Sequence, residues 1–405
     1  MTDPFETFDR AGGVGVVRDP HPGIAELRRR GAVLEGGLAE LLGHEPMLAA
    51  REIEGPHYVA LSFDAVNTML RDHETFSSSG YNDVLEAVFG RSIIAMDEPE
   101  HHERRALVQQ AFRPASMARW ERDITRPIVD RVIDTFAARG SADLVGELAM
   151  EFPVRVIAEI LGLPEDELDR FHRLAIQIVL IFHDPTAGLD ASRELREMFG
   201  GLLDERRRRP RADVVTDLCN AELHGERLSD DEIQSFLLTL LPAGAETTYR
   251  GTANLLFALL THSDQLAAVR RERSLVPAAI EESLRWESSP TQIGRTTNRS
   301  TVLDGVRLPP GAGVSACLAG ANRDPGRWER PHEYDLFRPG LPHVAFATGV
   351  HLCLGIHLAR MEMRVALDRV LDLLPGLRLD PSADDVHVSG LAFRSPTQLP
   401  VRFDA

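Results

Sequence analysis

Lysine is absent from the 405-residue chain, and all 45 of its basic residues are arginine. We attribute that absence to GC-rich coding rather than to function. Because acidic residues number 62, the net charge is −17, which argues against nucleic acid as a partner. Cysteine is also scarce. Cys219, Cys317 and Cys353 are odd in number and far apart, which argues against a disulfide framework.

Long apolar runs are missing as well. The first six residues carry neither a basic nor an apolar leader segment. The most apolar stretch, residues 174–182, is interrupted by Gln177 and is too short to span a bilayer. No Pro/Gly/Ser-rich linker, low-complexity stretch or internal repeat divides the chain. We therefore expect a single domain over residues 1–405, located in the cytoplasm and without a membrane anchor.

Apolar residues at helical spacing dominate the rest, and the chain is predicted to be mainly α. Helices are predicted near residues 99–112, 116–138, 152–161, 165–182, 190–209, 229–262, 276–286 and 356–374. Short strands are predicted near residues 56–61, 291–297, 301–308 and 398–403. The arginine-rich run at residues 205–211 is interpreted as a solvated helix end rather than as a nucleic-acid patch.

The most informative segment is a loop that contains Cys353. It carries Phe346, Gly349, His351, Cys353 and Gly355, and it stands just before the last predicted helix. Free N–H groups and the dipole at a helix N-terminus stabilise a thiolate, which can act as a nucleophile, a redox sensor or a metal ligand. Two glycines leave room for a flat cofactor, and Phe346 offers an aromatic face. These neighbours favour a metal ligand.

This loop resembles the haem-binding signature of the cytochrome P450 family at every fixed position of that signature. The resemblance implies the mainly α P450 fold, a helix-rich triangular prism with a small β-rich subdomain. It also implies haem b, iron protoporphyrin IX, with Cys353 as the axial ligand and Phe346, His351 and Gly355 beside the cofactor. A thiolate ligand donates electron density to the iron and favours O–O cleavage. The lack of a membrane anchor points to the bacterial branch of the family.

The longest predicted helix crosses the core from Ser229. Residues 242–248 break the helical rules, because a proline and a glycine stand beside an acid and hydroxyls. This segment resembles the oxygen-activation motif of the same family. The resemblance implies that Ala243 and Thr247 face the oxygen side of the haem, that Thr247 hydrogen-bonds the dioxygen, and that Glu246 relays protons.

Two further motifs, between the central helix and the cysteine loop, carry the resemblance. Glu282 and Arg285 share one helix face and match the E-x-x-R motif. The segment after residue 321 resembles the family's loop before the cysteine, in which Arg338 completes a buried network with that pair. We interpret Glu282, Arg285 and Arg338 as structural support of the haem pocket.

Four cationic residues are predicted to bind the haem propionates, which need positive partners. His101 and Arg105 lie one helical turn apart after Pro99 and match a family segment. Arg295 and His351 match the third and fourth positions. All four assignments follow from the resemblance.

The substrate pocket is expected to be apolar, which favours a terpenoid, a steroid or a fatty-acid-like compound. By the same resemblance its lining residues are Ile93, Ile94, Val179, Leu240, Ala243, Ile293 and Phe393.

The predicted function is that of a haem-thiolate monooxygenase that inserts one oxygen atom from dioxygen into a hydrophobic molecule, most often as a hydroxyl group. The chain contains no G-x-G-x-x-G fingerprint, so the electrons are expected to come from a ferredoxin and an NAD(P)H-dependent ferredoxin reductase. An arginine patch formed by Arg104, Arg113, Arg119 and Arg364 is predicted to attract an acidic ferredoxin. Two alternatives remain, a peroxide-driven haem peroxygenase and a non-catalytic haem-thiolate sensor or ligand carrier.

Overall fold

Helices make up most of the architecture. The computed structural model describes residues 9–10, 13–45, 55–178 and 185–405. Its α-helices, in chain order, are α1 (His21–Arg30), α2 (Leu38–Leu41), α3 (Phe63–Arg71), α4 (Asn82–Phe89), α5 (Glu100–Val108), α6 (Pro114–Trp120), α7 (Arg126–Asp134), α8 (Glu151–Leu161), α9 (Leu168–Ile178), α10 (Pro185–Arg208), α11 (Val214–Asn220), α12 (Asp230–Leu241), α13 (Thr247–Thr261), α14 (Ser263–Arg271), α15 (Val276–Trp286), α16 (Leu318–Ala321) and α17 (Ile356–Leu373).

The strands are short and form small sheets. They are β1 (Val33–Glu35), β2 (His57–Ala60), β3 (Phe76–Ser77), β4 (Ser141–Asp143), β5 (Glu222–Leu223), β6 (Glu226–Arg227), β7 (Gln292–Thr297), β8 (Thr301–Leu303), β9 (Val306–Leu308), β10 (Gly313–Cys317), β11 (Arg378–Leu379), β12 (Val388–Ser389), β13 (Ser395–Pro396) and β14 (Pro400–Arg402). The largest sheet has the order β1-β2-β10-β7-β3, in which β10 runs parallel to β2 and antiparallel to β7. This small β region beside a helical body agrees with the predicted fold class.

The predicted helices occur near their expected positions, with two differences. The region predicted as one helix over residues 116–138 consists of α6, a π-helical turn at Glu121–Thr125, and α7. Several helices were not predicted, including α1, α3, α4, α11 and α14. The amphipathic pattern of α3 is clear, and Ser62 caps it by accepting a hydrogen bond from the N–H of Ala65 at 3.2 Å.

The long central helix begins as predicted. Ser229 and Glu232 form a capping box, in which the Ser229 hydroxyl accepts from the Glu232 N–H at 3.2 Å and the Glu232 carboxylate accepts from the Ser229 N–H at 2.8 Å. Helix α12 then continues through a π-helical segment, Pro242–Glu246, into α13. Such π-bulges are frequent at functional sites because they shift the side chains that follow. Nearly all of α13 is buried, so this helix forms the centre of the main hydrophobic core.

The arginine-rich run at the end of α10 is not wholly solvated. Arg206 is buried, forms an ion pair with Asp213, and donates to the Gly162 carbonyl at 2.6 Å. This corrects the expectation of a simple solvated helix end, because one arginine of the run joins α10 to the loop before α11. Within the described residues, the helices are too short or too polar to cross a lipid bilayer.

Candidate active site

The cysteine loop is closed by its own backbone. The Cys353 N–H donates to the Phe346 carbonyl at 3.0 Å, and the Leu352 N–H donates to the Gly349 carbonyl at 3.1 Å. Gly349 has a φ of +76°, and a Cβ at that position would lie 2.3 Å from the Leu70 carbonyl oxygen. Glycine is therefore required at this position by the turn and by the close packing against α3. Gly355 does have open space beside it, with no atom within 4 Å of an added Cβ.

The surroundings of Cys353 shift the pKa of its thiol in opposite directions. Burial raises the pKa of the Cys353 thiol, whereas a backbone hydrogen bond from Gly355 and the charges of Arg105 and Arg360 lower it. Burial outweighs the other effects, so the loop alone does not favour the thiolate as the sequence had predicted. A coordinated metal ion would reverse this balance, because a coordinating thiol is deprotonated.

The four residues predicted to bind propionates include two that are in direct contact. The rings of His101 and His351 have centroids 4.0 Å apart. Arg105 donates to the Leu352 carbonyl at 2.6 Å, beside Cys353 in the chain. Burial, and then the charges of His101, Arg295 and Arg105, lower the pKa of His351 to about 3. Arg105 and Arg295 are the charged members of this group, and the two histidines are largely neutral; the two guanidiniums could pair with an anionic ligand and the histidine N–H groups could donate to it.

The residues present fit a haem. The His101 Nδ1 atom is 3.1 Å from a Glu98 carboxylate oxygen, but the buried Nε2 atom of His101 has no hydrogen-bond partner among the described residues. A buried polar atom without a partner is unusual, and a propionate oxygen would satisfy it. Phe346 packs under the guanidinium of Arg360, 5.0 Å from its ring centroid. A soft sulfur ligand, open space at Gly355, the guanidiniums of Arg105 and Arg295 and the unpartnered His101 nitrogen together suit an iron porphyrin with two carboxylates.

The central helix opens to solvent at Ala243. This residue is exposed, although Leu241 and Glu246 on the same helix are buried. The Thr247 hydroxyl donates to the Ala243 carbonyl at 2.7 Å, which is the local back-bonding that threonine makes within helices. The accessible surface at Ala243 and the partly exposed Thr247 therefore lie together on the helix, one turn apart, as the predicted oxygen-activation motif requires.

Glu246 has a partner that the sequence interpretation missed. Its carboxylate accepts from Arg250 Nε at 3.2 Å and from Arg250 Nη2 at 2.9 Å. Burial raises the pKa of Glu246 to about 7, against the opposing charge of Arg250. The spacing of four residues on one helix face was a signal that could have identified this pair. Arg250 also forms an ion pair with Asp9, which no local signal could have revealed.

The predicted pocket residues differ in exposure. Ile94 is 41% exposed although it is large and apolar, and it lies in a short 3₁₀ turn, Ile93–Ala95. Ile93, Leu240, Ile293 and Phe393 are partly buried and pack against the hydrophobic clusters. Val179 lies outside the described residues. Among the described residues of this predicted pocket, Ile94 and Ala243 are therefore the two that are exposed.

The turn with Ile93 and Ile94 is fixed to the central helix. The Ser92 hydroxyl, which precedes the turn, is 2.8 Å from the Thr239 hydroxyl in a buried contact. Thr239 in turn donates to the Ser235 carbonyl at 2.8 Å. These bonds hold one apolar loop at a set position relative to α12.

Glu282, Arg285 and Arg338 form a buried ion network, as the sequence implied. Arg285 donates to Glu282 through Nε at 2.7 Å and through Nη2 at 2.8 Å, a bidentate geometry. Arg338 Nε donates to the same carboxylate at 3.1 Å. The remaining Arg285 donors bind the carbonyls of Asn322, Pro331 and Glu333 at 2.9–3.0 Å.

This network reaches the cysteine loop through Asn322. The Asn322 side-chain oxygen accepts from the Val344 N–H at 2.8 Å, two residues before Phe346. The Asn322 amide donates to Ser288 at 2.7 Å, at the end of α15. The E-x-x-R helix, the segment after β10 and the start of the cysteine loop are therefore joined by hydrogen bonds.

Known proteins resemble this chain in sequence and in fold. The family model for cytochrome P450 matches residues 189–374. The cytochrome P450 monooxygenase PikC of Streptomyces venezuelae is 33% identical over 407 aligned positions, which cover 96% of this chain and 92% of PikC. The C-19 steroid 1alpha-hydroxylase of Sorangium cellulosum is 34% identical over 348 positions, which cover 83% of this chain and 87% of that enzyme. The crystal structure of CYP109E1 from Bacillus megaterium in complex with testosterone matches with a TM-score of 0.85 and 28% identity, over 96% of this chain and 100% of that one.

The helical fold, the small sheets and the cysteine loop define a haem-binding oxygenase of the P450 type. The chain belongs to the cytochrome P450 family. It is a cytochrome P450 monooxygenase, with a haem cofactor, a hydrophobic substrate and redox partners that supply its electrons.

Proposed function

We propose that the protein hydroxylates a steroid-sized hydrophobic molecule. The observation that carries this proposal is the exposed Ala243, one helical turn before the partly exposed Thr247, together with the exposed Ile94 of the Ile93–Ala95 turn. Two of the similar proteins act on or bind steroids by their names, the C-19 steroid 1alpha-hydroxylase and CYP109E1 in its testosterone complex. The reaction consumes dioxygen, two electrons and two protons. One oxygen atom enters a C–H bond, and the other leaves as water.

Haem b is the proposed cofactor, and it supplies the oxygen and redox chemistry when bound. Cys353 would bind its iron through sulfur, while His101, Arg105, Arg295 and His351 would hold its carboxylates. Phe346 and Gly355 would line the face that carries the sulfur. The apolar residues Ile93, Ile94, Leu240, Ala243, Ile293 and Phe393, together with Val179, would orient the substrate and exclude water. Thr247 and Glu246 would supply protons for the reaction.

The electrons are proposed to come from a ferredoxin and its NAD(P)H-dependent reductase. The arginine patch predicted to attract ferredoxin is weaker than the sequence indicated. Arg104 pairs with Glu232 at 2.7 Å, and Arg364 pairs with Glu121. Arg119 is only partly exposed and lies in the field of Asp217 and Asp123. Because neighbouring carboxylates weaken the attraction that an arginine exerts on a partner, the exposed Arg113 would carry most of what remains, although Asp217 acts on it too.

The substrate class and the electron donor can be tested together. Testosterone is expected to convert the haem from low spin to high spin. With ferredoxin, reductase, NAD(P)H and isotope-labelled dioxygen it is expected to yield a hydroxysteroid that carries the label. Palmitate serves as the comparison ligand. A spin change with palmitate but not with testosterone would contradict the steroid proposal. Product that forms with hydrogen peroxide alone, with no label from dioxygen, would favour the peroxygenase alternative.

Replacing Thr247 with alanine is expected to uncouple the reaction. The hydroxyl on the accessible helix face would be lost, so proton delivery would be mistimed and reducing equivalents would leave as hydrogen peroxide. Binding of haem and substrate should be unchanged, while the product formed per NAD(P)H should fall several-fold. Thr261 is a matched control, since its hydroxyl makes the same bond to the carbonyl four residues earlier, Phe257, at 2.7 Å. Equal coupling in Thr247→Ala and Thr261→Ala would remove Thr247 from the mechanism.

A further inference from the structure

A buried arginine joins the acid of the central helix to the N-terminal segment. Arg250 is completely buried, and its guanidinium donates to Glu246 at 2.9 Å and to the Ser395 hydroxyl at 3.0 Å. The same Nη2 atom that binds Glu246 also binds the Asp9 carboxylate, 241 residues away in the chain. One cation is thus shared by two carboxylates that lie far apart in the chain.

Sharing one cation makes the two carboxylates compete for negative charge. Asp9 is 18% exposed, whereas Glu246 is 7% exposed. Water stabilises the more exposed carboxylate, so Glu246 is the group that takes up a proton near neutral pH. Burial raises the pKa of Glu246 to about 7, Arg250 opposes that change, and the charge of Asp9 adds to it.

The other groups around this cluster remain neutral. Burial raises the pKa of Tyr249 to about 12, and its hydroxyl lies 3.3 Å from Ser395. On α17, burial raises the pKa of Glu362 well above its ordinary value, and Glu362 is hydrogen-bonded to Thr248. Strand β13 contributes Ser395, and the residues before it contribute the Phe393 ring, 5.6 Å from the guanidinium. Among the described residues, the charges that act on Glu246 are therefore those of Arg250 and Asp9.

Glu246 must leave Arg250 in order to deliver a proton. Its described contacts are with Arg250, whereas the Thr247 hydroxyl is bonded to the Ala243 carbonyl. If Glu246 turned away, a buried arginine without an anion would be strongly disfavoured. Asp9 removes that obstacle, because Arg250 keeps one carboxylate when Glu246 is released.

The position of Asp9 depends on how the N-terminal segment docks. The Val14 N–H donates to the Asp9 carbonyl at 2.8 Å. Further along, the Gly15 N–H donates to the Ser389 hydroxyl at 3.0 Å, and the Gly390 N–H donates to the Val17 carbonyl at 2.8 Å. The segment is thus tied to the hairpin of β12 and β13, which also carries Ser395.

We propose that Asp9 is a positioning residue which, by sharing the Arg250 guanidinium with Glu246, lets Glu246 separate from Arg250 and deliver a proton. The docked N-terminal segment thereby regulates the proton supply of the active site. This inference rests on the proposed role of Glu246 as the acid of that supply. The proton passes from the Glu246 carboxyl to water or to the Thr247 hydroxyl, and solvent protonates the carboxylate again.

The protonation state of Glu246 can be measured without turnover. Infrared difference spectra between the wild type and Glu246→Gln assign the carboxyl stretch, and a pH titration then gives its midpoint in the holoenzyme. Asp9→Asn should lower the midpoint by about one to two pH units, because an anion that opposes ionisation is removed. Arg250→Gln should raise it, because a cation that favours ionisation is removed. An unchanged midpoint in Asp9→Asn, or a rise, would overturn the proposal.

The amount of product formed per NAD(P)H consumed provides a second readout. In Asp9→Asn the pH at which product per NAD(P)H begins to fall should move down with the infrared midpoint. Asp9→Glu keeps the negative charge, so its pH profile should match that of the wild type. Such a match would also show that the N-terminal segment tolerates a substitution at this position. Asp385→Asn is the control, since Asp385 pairs with Arg18 of the same segment at 2.5 Å but does not contact Arg250. If Asp385→Asn shifts the pH profile as much as Asp9→Asn does, the profile depends on how the N-terminal segment packs, and the contact between Asp9 and Arg250 has no special role. If the wild type forms no product, the proposed function fails, while the infrared titration still decides the role of Asp9.

Discussion

Replacing Cys353 with serine is expected to abolish the red-shifted absorption band that a thiolate ligand gives to the ferrous carbon monoxide complex. Serine is a hard and very weakly acidic ligand, whereas the band depends on electron donation from sulfur to iron. The expected change is therefore a complete loss of the band, with loss of oxygen insertion. The measurement is the carbon monoxide difference spectrum of the reduced, haem-loaded protein.

Cys317 offers a matched control. It is buried, and its sulfur accepts from the Gly320 N–H at 3.3 Å as the cap of α16, a position where a serine hydroxyl accepts equally well. Cys317→Ser should therefore keep the thiolate band. Retention of the band in Cys353→Ser would show that another atom binds the iron, and Cys353 would then have to be reassigned.

The parts of the site that the sequence predicted best are those whose determinants are local. The residues that identify the cysteine loop all lie within ten consecutive positions, and those that form the capping box at Ser229 lie within four. The Glu282–Arg285 pair needs one helical turn, so its spacing alone predicts that the side chains can meet. The conformation of such segments depends on neighbours in the chain, and the sequence records those neighbours directly.

Contacts between distant segments could not be predicted in the same way. The reason for glycine at position 349 is the carbonyl of Leu70 on another helix. The raised pKa of Cys353 comes from burial, which depends on how the whole core packs. The two-residue strand β3 exists because it pairs with β7 at Phe76 and Thr297, and a run that short has no periodicity of its own.

Neutralising Glu282 is expected to be among the most destabilising changes in the protein. The Glu282→Gln side chain keeps its shape but loses the charge that faces Arg285 and Arg338. Both Glu282 and Arg285 are buried, and removing one partner of a buried ion pair costs about 3–5 kcal/mol because the other charge stays unpaired. That amount is a large part of the roughly 5–15 kcal/mol that separates folded from unfolded domains.

Loss of haem should accompany this loss of stability, because Arg285 and Asn322 connect the network to the Val344 N–H at the start of the cysteine loop. The measurements are the denaturant midpoint and the haem absorbance per protein after gel filtration.

Glu333→Gln is the control, since Glu333 pairs with Arg330 at the same spacing of three residues but more than half of each side chain is exposed. An exposed pair contributes about 0–1 kcal/mol, so this variant should unfold almost as the wild type does. If Glu282→Gln instead unfolds with the control and retains its haem, the buried network does not support the cysteine loop, and the pocket must be held by the packing of α13 and α17 alone.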